Sequence, residues 1–535
     1  MSAKRGKADS GRTAKGAVAA PAAATGREAR LRADIARLEQ GGLEKYREKL
    51  RDEGKLFVRD RLRLYFPEGL AFEDGLFANN RKAEEGLAAD GMVTGAGRIA
   101  DRTVFVIAND YSVKAGSMAE RGVEKFLRVQ ERALRAEKPI LYLIDSSGAR
   151  ITDQAGFFAN IRGIGKYFYN HSLLSGKIPQ VSVLYGPCVA GAAYTPVFCD
   201  FSIMLRSMSA LCIASPRMVE MVTGEKVTMQ ELGGADVHME ASGSCHLVVD
   251  SEEEAALAAY RLLSYLPDHC GDRPPRYEAK PPAKDGADLD AVVPEDPNKA
   301  FDMHEVIVRL VDEGSWLELK PGHAAELVTG FARIAGHVVG VVANNSAVRA
   351  GAIFPNSADK AAEFILTCDA FNVPLVYLCD TPGFMVGSEV ERQGILKRGK
   401  RFIYATSTAT VPKLCVVVRK AYGAGIYAMC GPAFEPEATL ALPGAEIAVM
   451  GAEAAINAVY ANHIAKITDA KERAKFIEEK RAEYQRDIDI RAVADDLVVD
   501  HVVPPSMLRG ELAARLAAYA DKHHPLPKKG HGTVI

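Results

Sequence analysis

Val93-Thr94-Gly95-Ala96-Gly97-Arg98-Ile99-Ala100 recurs, 235 residues further on, as Val328-Thr329-Gly330-Phe331-Ala332-Arg333-Ile334-Ala335. The same offset carries Ala108-Asn109 onto Ala343-Asn344, Lys114 onto Arg349 and Gly116 onto Gly351. It also carries Ile140-Leu-Tyr-Leu-Ile-Asp145 onto Leu375-Val-Tyr-Leu-Cys-Asp380, and Gly148 onto Gly383. Between these blocks Phe126, Val129, Gln130 and Ala133 fall in phase with Ala361, Phe364, Ile365 and Cys368, at helical spacing. After a slip of two residues, Pro179 to Tyr194 matches Pro412 to Tyr427. Solenoid units run to about 20–50 residues, so a period this long describes two homologous domains instead.

Within each half the pattern alternates strand, helix, strand. In the first, a β-rich stretch near 93–109 precedes a helix near 119–136, a buried strand at 140–145, a second helix and a strand at 180–185. Strands interleaved with helices pair largely in parallel and place the chain in the α/β class. Runs as apolar as Ile140 to Ile144 belong to a sheet covered on both faces. The Pro-, Lys- and Asp-rich segment from about 272 to 297 has little apolar periodicity and is where the halves are expected to meet. The expected organisation is a basic, disordered tail over 1–30, a first domain over 31–285 and a second over 286–535.

Composition narrows the function classes. With 535 residues, 48% of them hydrophobic, the chain can bury the core of two or more domains. A formal net charge of -2 gives no bulk attraction to nucleic acid or an anionic membrane, so neither is an expected partner. Nine cysteines without a CxxC pair, several in apolar runs such as Cys199, Cys368 and Cys415, suit buried thiols in a reducing compartment. No apolar run approaches the roughly 18–20 residues of a membrane span, and the start lacks a secretory apolar core. The expected location is cytoplasmic. A transit peptide in the first 30 residues is weakened by Asp9 and Glu28.

The chemistry-bearing stretches are again duplicated. Gly186-Pro-Cys-Val-Ala190-Gly191-Ala192-Ala193-Tyr194 and Lys420-Ala-Tyr-Gly423-Ala424-Gly425-Ile426-Tyr427 each follow a buried strand and open a helical stretch. Small residues let a ligand approach the backbone, and unpaired N–H groups there can hold a carbonyl oxygen that turns negative. A tight turn that needs small residues only for packing would read the same way, but its recurrence in both halves favours the oxyanion site. Gly423-Ala-Gly425-Ile-Tyr-Ala428 also fits a loose dinucleotide pattern, yet it sits late in its half and lacks a following ribose-binding acid. No Walker loop, HExxH helix or GxSxG elbow occurs, and the histidines are few and unpaired. Asp145 and Asp380, at strand ends, suit capping of the next helix as well as acid or base work. The chain thus offers backbone donors without a proton-transfer pair, which suits a reaction whose base comes from a cofactor.

Several long motifs in order resemble the carboxyltransferase (β) subunits of biotin-dependent acyl-CoA carboxylases, including the propionyl-CoA and 3-methylcrotonyl-CoA enzymes. They are Ala108-Asn-Asp with Val113-Lys114-Ala-Gly116, Asp145-Ser-Ser-Gly-Ala-Arg150, Gly186-Pro-Cys188 with Gly191-Ala-Ala-Tyr194, and Thr223-Gly-Glu225. Leu232-Gly-Gly-Ala-Asp236, Pro382-Gly-Phe384, Gly423-Ala-Gly425 and Ala448-Val-Met-Gly451 continue the series, so the resemblance runs from about residue 30 to the end. It implies two tandem crotonase-like (ClpP/crotonase) domains, a homohexameric core, and active sites between the first domain of one subunit and the second of another. It further implies that backbone N–H groups at Ala190 and Gly191 hold the enolate oxygen of an acyl-CoA, while those at Ala424 and Gly425 hold the carbonyl of biotin. Ala190 stands where propionyl-CoA enzymes usually have Gly, so the role requires a φ that suits alanine. Gly148, Ala149 and Tyr194, with Ile426 and Tyr427, are the expected substrate-binding residues.

The resemblance also implies that carboxybiotin arrives in trans on a carrier protein, with a biotin carboxylase or carboxyl carrier subunit as partner and no metal. The carrier's MKM sequence and a four-cysteine zinc ribbon are both missing from this chain. Alternatives are a methylcrotonyl-CoA carboxylase subunit, a biotin-dependent acyl-CoA decarboxylase subunit, a hydratase of the same fold, and a non-catalytic scaffold for a biotin carboxylase. Ser147-Gly-Ala-Arg150 looks like the propionyl- and acetyl-CoA group, whereas Gly383-Phe-Met-Val-Gly387 looks more like the methylcrotonyl-CoA group. Ile426 stands where methylcrotonyl-CoA enzymes typically have Asn, and Tyr427 near where propionyl-CoA enzymes have Asp. Both are expected to line the acyl pocket, unless Ile426 packs into the core.

Overall fold

A computed structural model describes residues 26–522. Most of the expected disordered tail, residues 1–25, lies outside the described residues; its last part is corrected, because Arg27–Leu38 is a helix with an Arg32–Glu28 ion pair one turn apart.

The first half builds one eight-stranded sheet. Its strands are β1 (Leu70–Glu73), β2 (Met92–Ile99), β3 (Arg102–Asn109), β4 (Ile140–Ser146), β5 (Gln180–Val189), β6 (Phe201–Leu205), β7 (Ala210–Cys212) and β8 (Leu247–Val249). They lie in the order β1-β2-β3-β4-β5-β6-β8, with β7 paired to β5. The second half repeats this with β9 (Leu317–Leu319), β10 (Leu327–Ile334), β11 (His337–Asn344), β12 (Leu375–Thr381), β13 (Lys413–Tyr422), β14 (Ala438–Ala441), β15 (Glu446–Ala448) and β16 (His501–Val502). The order β16-β14-β13-β12-β11-β10-β9, with β15 on β13, is the same sheet. The doubled α/β architecture expected from the repeat, crotonase-like in each half as the resemblance implies, is therefore what the chain forms.

The β-rich stretch is an antiparallel hairpin in each copy, β2 with β3 and β10 with β11, and the pairs from β3 to β6 and from β11 to β14 are parallel. The hairpins turn through Ala100 and Ala335, both left-handed at φ 51° and 49°. The helices Glu120–Ala136 and Pro355–Ala370 cross their sheets at the expected place. Each carries a buried lysine on its inner face. Lys125 donates to the carbonyls of Ala89 and Met92, and Lys360 to those of Lys320, His323 and Leu327, at 2.8–3.0 Å for Lys360. Burial lowers both ammonium groups to about 8.

The two copies share a core. Phe201 of β6 meets Phe331 of β10 edge to face at 5.7 Å, and Phe331 also meets Tyr265 at 5.5 Å and Phe364 at 5.3 Å. A polar strap closes the edge of that contact: Glu363 bonds both Lys320, at 2.6 Å, and His246 of the first half, at 3.0 Å.

Candidate functional site

The site is assembled from loops at the carboxyl ends of the parallel strands. In the first half the chain leaves β4 through Ser147 and turns at Gly148, φ 96°, a backbone region closed to most side chains. Gly148 accepts the Met118 N–H at 2.9 Å, and Arg150 donates to the Met118 carbonyl at 2.8 Å. In a parallel bridge the flanking residues make both bonds, so the N–H of Ala149 points the other way. The second half repeats the arrangement: Ile353 donates to Gly383 and accepts from Met385, both at 2.9 Å, which turns the Phe384 N–H outward.

These loops rest on the small-residue turns. A Cβ at Gly148 would sit 3.1 Å from the Val189 carbonyl, and one at Gly383 would sit 3.1 Å from that of Tyr422. The strand then breaks at Ala190, φ 60°, into the short helical turn Ala190–Ala193, whose first N–H groups lack intrahelical acceptors. Tyr167, fully buried, donates its hydroxyl to the Gly191 carbonyl at 3.0 Å and fixes that peptide plane. Nothing in the sequence marked Tyr167 for this task.

By the two-residue slip Ala190 is equivalent to Gly423, φ 56°, and Gly191 to Ala424. Ala190, Gly191 and Ala424 are exposed, whereas Gly425 is buried, with space for a Cβ closed by Thr381 and Gly383 at 2.8 and 2.9 Å. The pairs Ala190-Gly191 and Ala424-Gly425 are therefore one residue out of step with the repeat. Tyr194 and Tyr427, at equivalent positions, are both about half exposed, at 46% and 48%. Tyr194 meets Phe168 at 5.8 Å and Tyr427 stacks on Phe434 at 5.8 Å. Ile426 differs: it is 7% exposed, lies in the shared core and packs against Gly431.

A strained turn buttresses each loop. Lys114, Ala115 and Gly116 are all left-handed, at φ 49°, 54° and 64°, as are Arg349, Ala350 and Gly351, at φ 48°, 58° and 70°. Left-handed backbone costs roughly 1–2 kcal/mol per non-glycine residue. It persists here because the loop is packed onto it: the Ala115 carbonyl accepts the Ser147 N–H at 3.0 Å, and a side chain at Gly116 would collide with the Asp145 carbonyl.

Asp145 and Asp380 neither cap a helix nor face the turns, so both sequence readings of these residues are corrected. Each is fully buried and paired with a cation. Asp380 accepts from Arg419 of the neighbouring strand at 2.9 and 3.2 Å. Asp145 accepts from Lys55 at 3.0 Å, with Arg61 at 3.6 Å, both from the segment before the first sheet. Burial raises the Asp145 carboxyl above the usual range, against the pull of Arg61 and Lys55. Among the described residues no three His, Cys, Asp or Glu side chains come together as a metal centre would need.

Comparison with known proteins identifies the family and the fold. Residues 49–534 match the carboxyl transferase domain family. The "Uncharacterized carboxylase YngE" of Bacillus subtilis (strain 168) is 50% identical over 495 residues, 92% of this chain and 96% of that protein. The biotin-dependent acetyl-/propionyl-coenzyme A carboxylase beta5 subunit of Mycobacterium tuberculosis (strain CDC 1551 / Oshkosh) is 38% identical over 508 residues, 91% of each chain. Among solved structures, the transcarboxylase 12S hexamer with methylmalonyl-coenzyme A and methylmalonic acid bound superposes with a TM-score of 0.89. It is 39% identical, over 95% of this chain and 98% of that one.

Proposed function

Since this chain belongs to the carboxyl transferase domain family, we propose that it is the carboxyltransferase subunit of a biotin-dependent acyl-CoA carboxylase, acting on a short acyl-CoA such as propionyl- or acetyl-CoA. The observation that carries this reading is the duplicated pairing of an outward N–H, at Ala149 or Phe384, with a small-residue turn at the end of the next strand. We assign the acyl-CoA side to the first half, residues 31–285, and the biotin side to the second, residues 286–535.

Biotin, carried on another chain, supplies the carboxyl group and, once that has left, a nitrogen base. The residues fit it: the Gly423–Gly425 turn offers backbone donors over a floor of small residues, which suits a neutral carbonyl. In the first half the thioester oxygen lies against the N–H groups of Ala149, Ala190 and Gly191. As the α-proton leaves, negative charge gathers on that oxygen and these donors hold it, without reorganising, where water would have to turn. The α-carbon then bonds to CO2, so propionyl-CoA becomes methylmalonyl-CoA. Gly148 and Tyr194 border this position, and Tyr427 borders its counterpart.

Exposed apolar residues follow the Ala149 and Phe384 loops at equivalent places in the chain, Ile151 with Val386 and Ile161 with Leu396, each at least 77% exposed. A matched pair of such patches favours burial against further copies, in keeping with a hexameric core. No helix among the described residues is long and apolar enough to cross a membrane, and all nine cysteines are free, which supports a cytoplasmic setting. The test is the reverse half-reaction: the purified chain should move the carboxyl group of methylmalonyl-CoA to free biotin, giving propionyl-CoA. An assembled protein that releases no propionyl-CoA in a biotin-dependent manner overturns the reading.

A further inference from the structure

The equivalent loops of the two halves hang from the same buried aspartate but are held by different cations. Arg419 stands one residue past the middle of β13 and reaches Asp380 directly, with the Lys420 N–H adding a bond at 3.2 Å. Its counterpart in β5 is Gly186. There is no room for a side chain at Gly186: the place of its Cβ is taken by the Asp145 carboxylate, with Lys55 Nζ 2.8 Å away. The cation comes from elsewhere. Lys55 lies between the helices Glu44–Asp52 and Val58–Tyr65, is 8% exposed, and bridges Asp145 to the face of the Tyr111 ring, 4.3 Å from Nζ. Arg61 is engaged elsewhere, with Glu252 at 2.9 Å and over the Tyr185 ring at 3.8 Å, and Asp145 Oδ2 has no hydrogen bond.

We propose that Lys55 is a positioning residue for the first-half loop, holding Asp145 so that Gly148 and Ala149 stand where the Ala149 N–H meets the thioester oxygen. This deepens the functional reading above and rests on it. Asp145 begins the five-residue run to Ala149, and its own carbonyl packs on Gly116, so a displaced Asp145 carries the donor with it. Loss of Lys55 leaves the buried carboxylate with Arg61 alone, 3.6 Å away and shared with Glu252, which is costlier than loss of Lys55 and the charge together. The second half needs no such strap, because its arginine is built into the strand. The segment before the first sheet thus acts on one half of the reaction only.

The experiment is carboxyl transfer from methylmalonyl-CoA to free biotin by the full chain, comparing wild type, Lys55→Met and Lys55→Met/Asp145→Asn, with assembly state and Tm recorded. Wild-type failure would sink the functional reading and leave Lys55 out of the matter. With wild type active, Lys55→Met should lower kcat at least about tenfold. The KM for biotin should be unchanged, and the charge-neutral double variant should recover most of the loss. A Lys55→Met protein with normal kcat, or a lowered kcat tracking a raised biotin KM, overturns the proposal. If Lys55→Met does not assemble, the double variant decides alone: assembled and active supports the strap, assembled and inactive refutes it.

Discussion

Ala190 and Gly423 occupy one position of the repeat and share one backbone conformation, φ 60° and 56°, although only one of them is glycine. The conformation, then, belongs to the turn and not to the residue. Removing the Ala190 methyl relieves left-handed strain of roughly 1–2 kcal/mol and adds chain entropy of similar size to the unfolded state. Ala190→Gly should keep full transfer activity, with a Tm near that of wild type. Ala190→Val, branched where even alanine is strained, should abolish transfer. Equal activity of the valine variant would show that the turn does not shape the site.

Gly191 tests the donor itself. Its φ is not left-handed, and a Cβ would meet Phe168 no closer than 3.8 Å, so the backbone accepts a side chain. Gly191→Val should fold and assemble while losing about 2.7–4 kcal/mol of transition-state stabilisation, roughly 10²–10³ in kcat, because the methyls cover the N–H. Near-normal turnover in an intact oligomer would remove Gly191 from the hole.

Ile426 and Tyr427 separate specificity from packing. Ile426→Ala should destabilise the protein by about 2–5 kcal/mol and leave the ranking of acetyl-, propionyl-, butyryl- and methylcrotonyl-CoA unchanged. Tyr427→Ala should reorder that ranking with little effect on Tm. Parallel kcat/KM series on the four substrates decide it, and a reordered ranking from Ile426→Ala would return that residue to the pocket.

Much of this was legible in the chain because duplication writes the fold twice. The 235-residue offset locates the first strands and the helix between them, and the same repeat after its two-residue slip locates both turns. What stayed hidden depends on distance in sequence. Tyr167 reaches Gly191 from an intervening helix, and Lys55 reaches Asp145 across 90 residues, so no local pattern announces either bond. Asp145 and Asp380 were open to misreading because a strand-end aspartate resembles a cap until its cation is seen. One clue was available: Arg419 falls on Gly186 in the repeat, so a cation present in one half is missing from the other.

Asp200 should give the protein an acid-side stability trend. Burial raises its carboxyl to about 7, against a hydrogen bond from the Gln180 N–H at 2.8 Å. In the unfolded chain the group ionises near 4, in the folded chain only near 7, so its contribution is complete below about 4 and is lost as pH rises to 7. Asp200→Asn removes that loss. We expect it to raise stability at pH 7.5 by about 2 kcal/mol, partial exposure screening the rest, and by little at pH 4. Denaturation midpoints at the two pH values measure this, and an equal change at both would refute it.

The absence of a carrier sequence predicts a chain without biotin of its own. A streptavidin blot of the purified protein should be blank at its mass, and a band there would end the division of labour between two chains.

Phe331, wedged between Phe201 of the other copy and Tyr265, joins the interiors of the two copies. Two copies that merely touched could still part, each surviving as a single-unit protein. Once their interiors merged, deletion of either would uncover the other's core, and the pair became one unit of inheritance. The two turns were then free to diverge, since neither half had to remain a folded protein by itself.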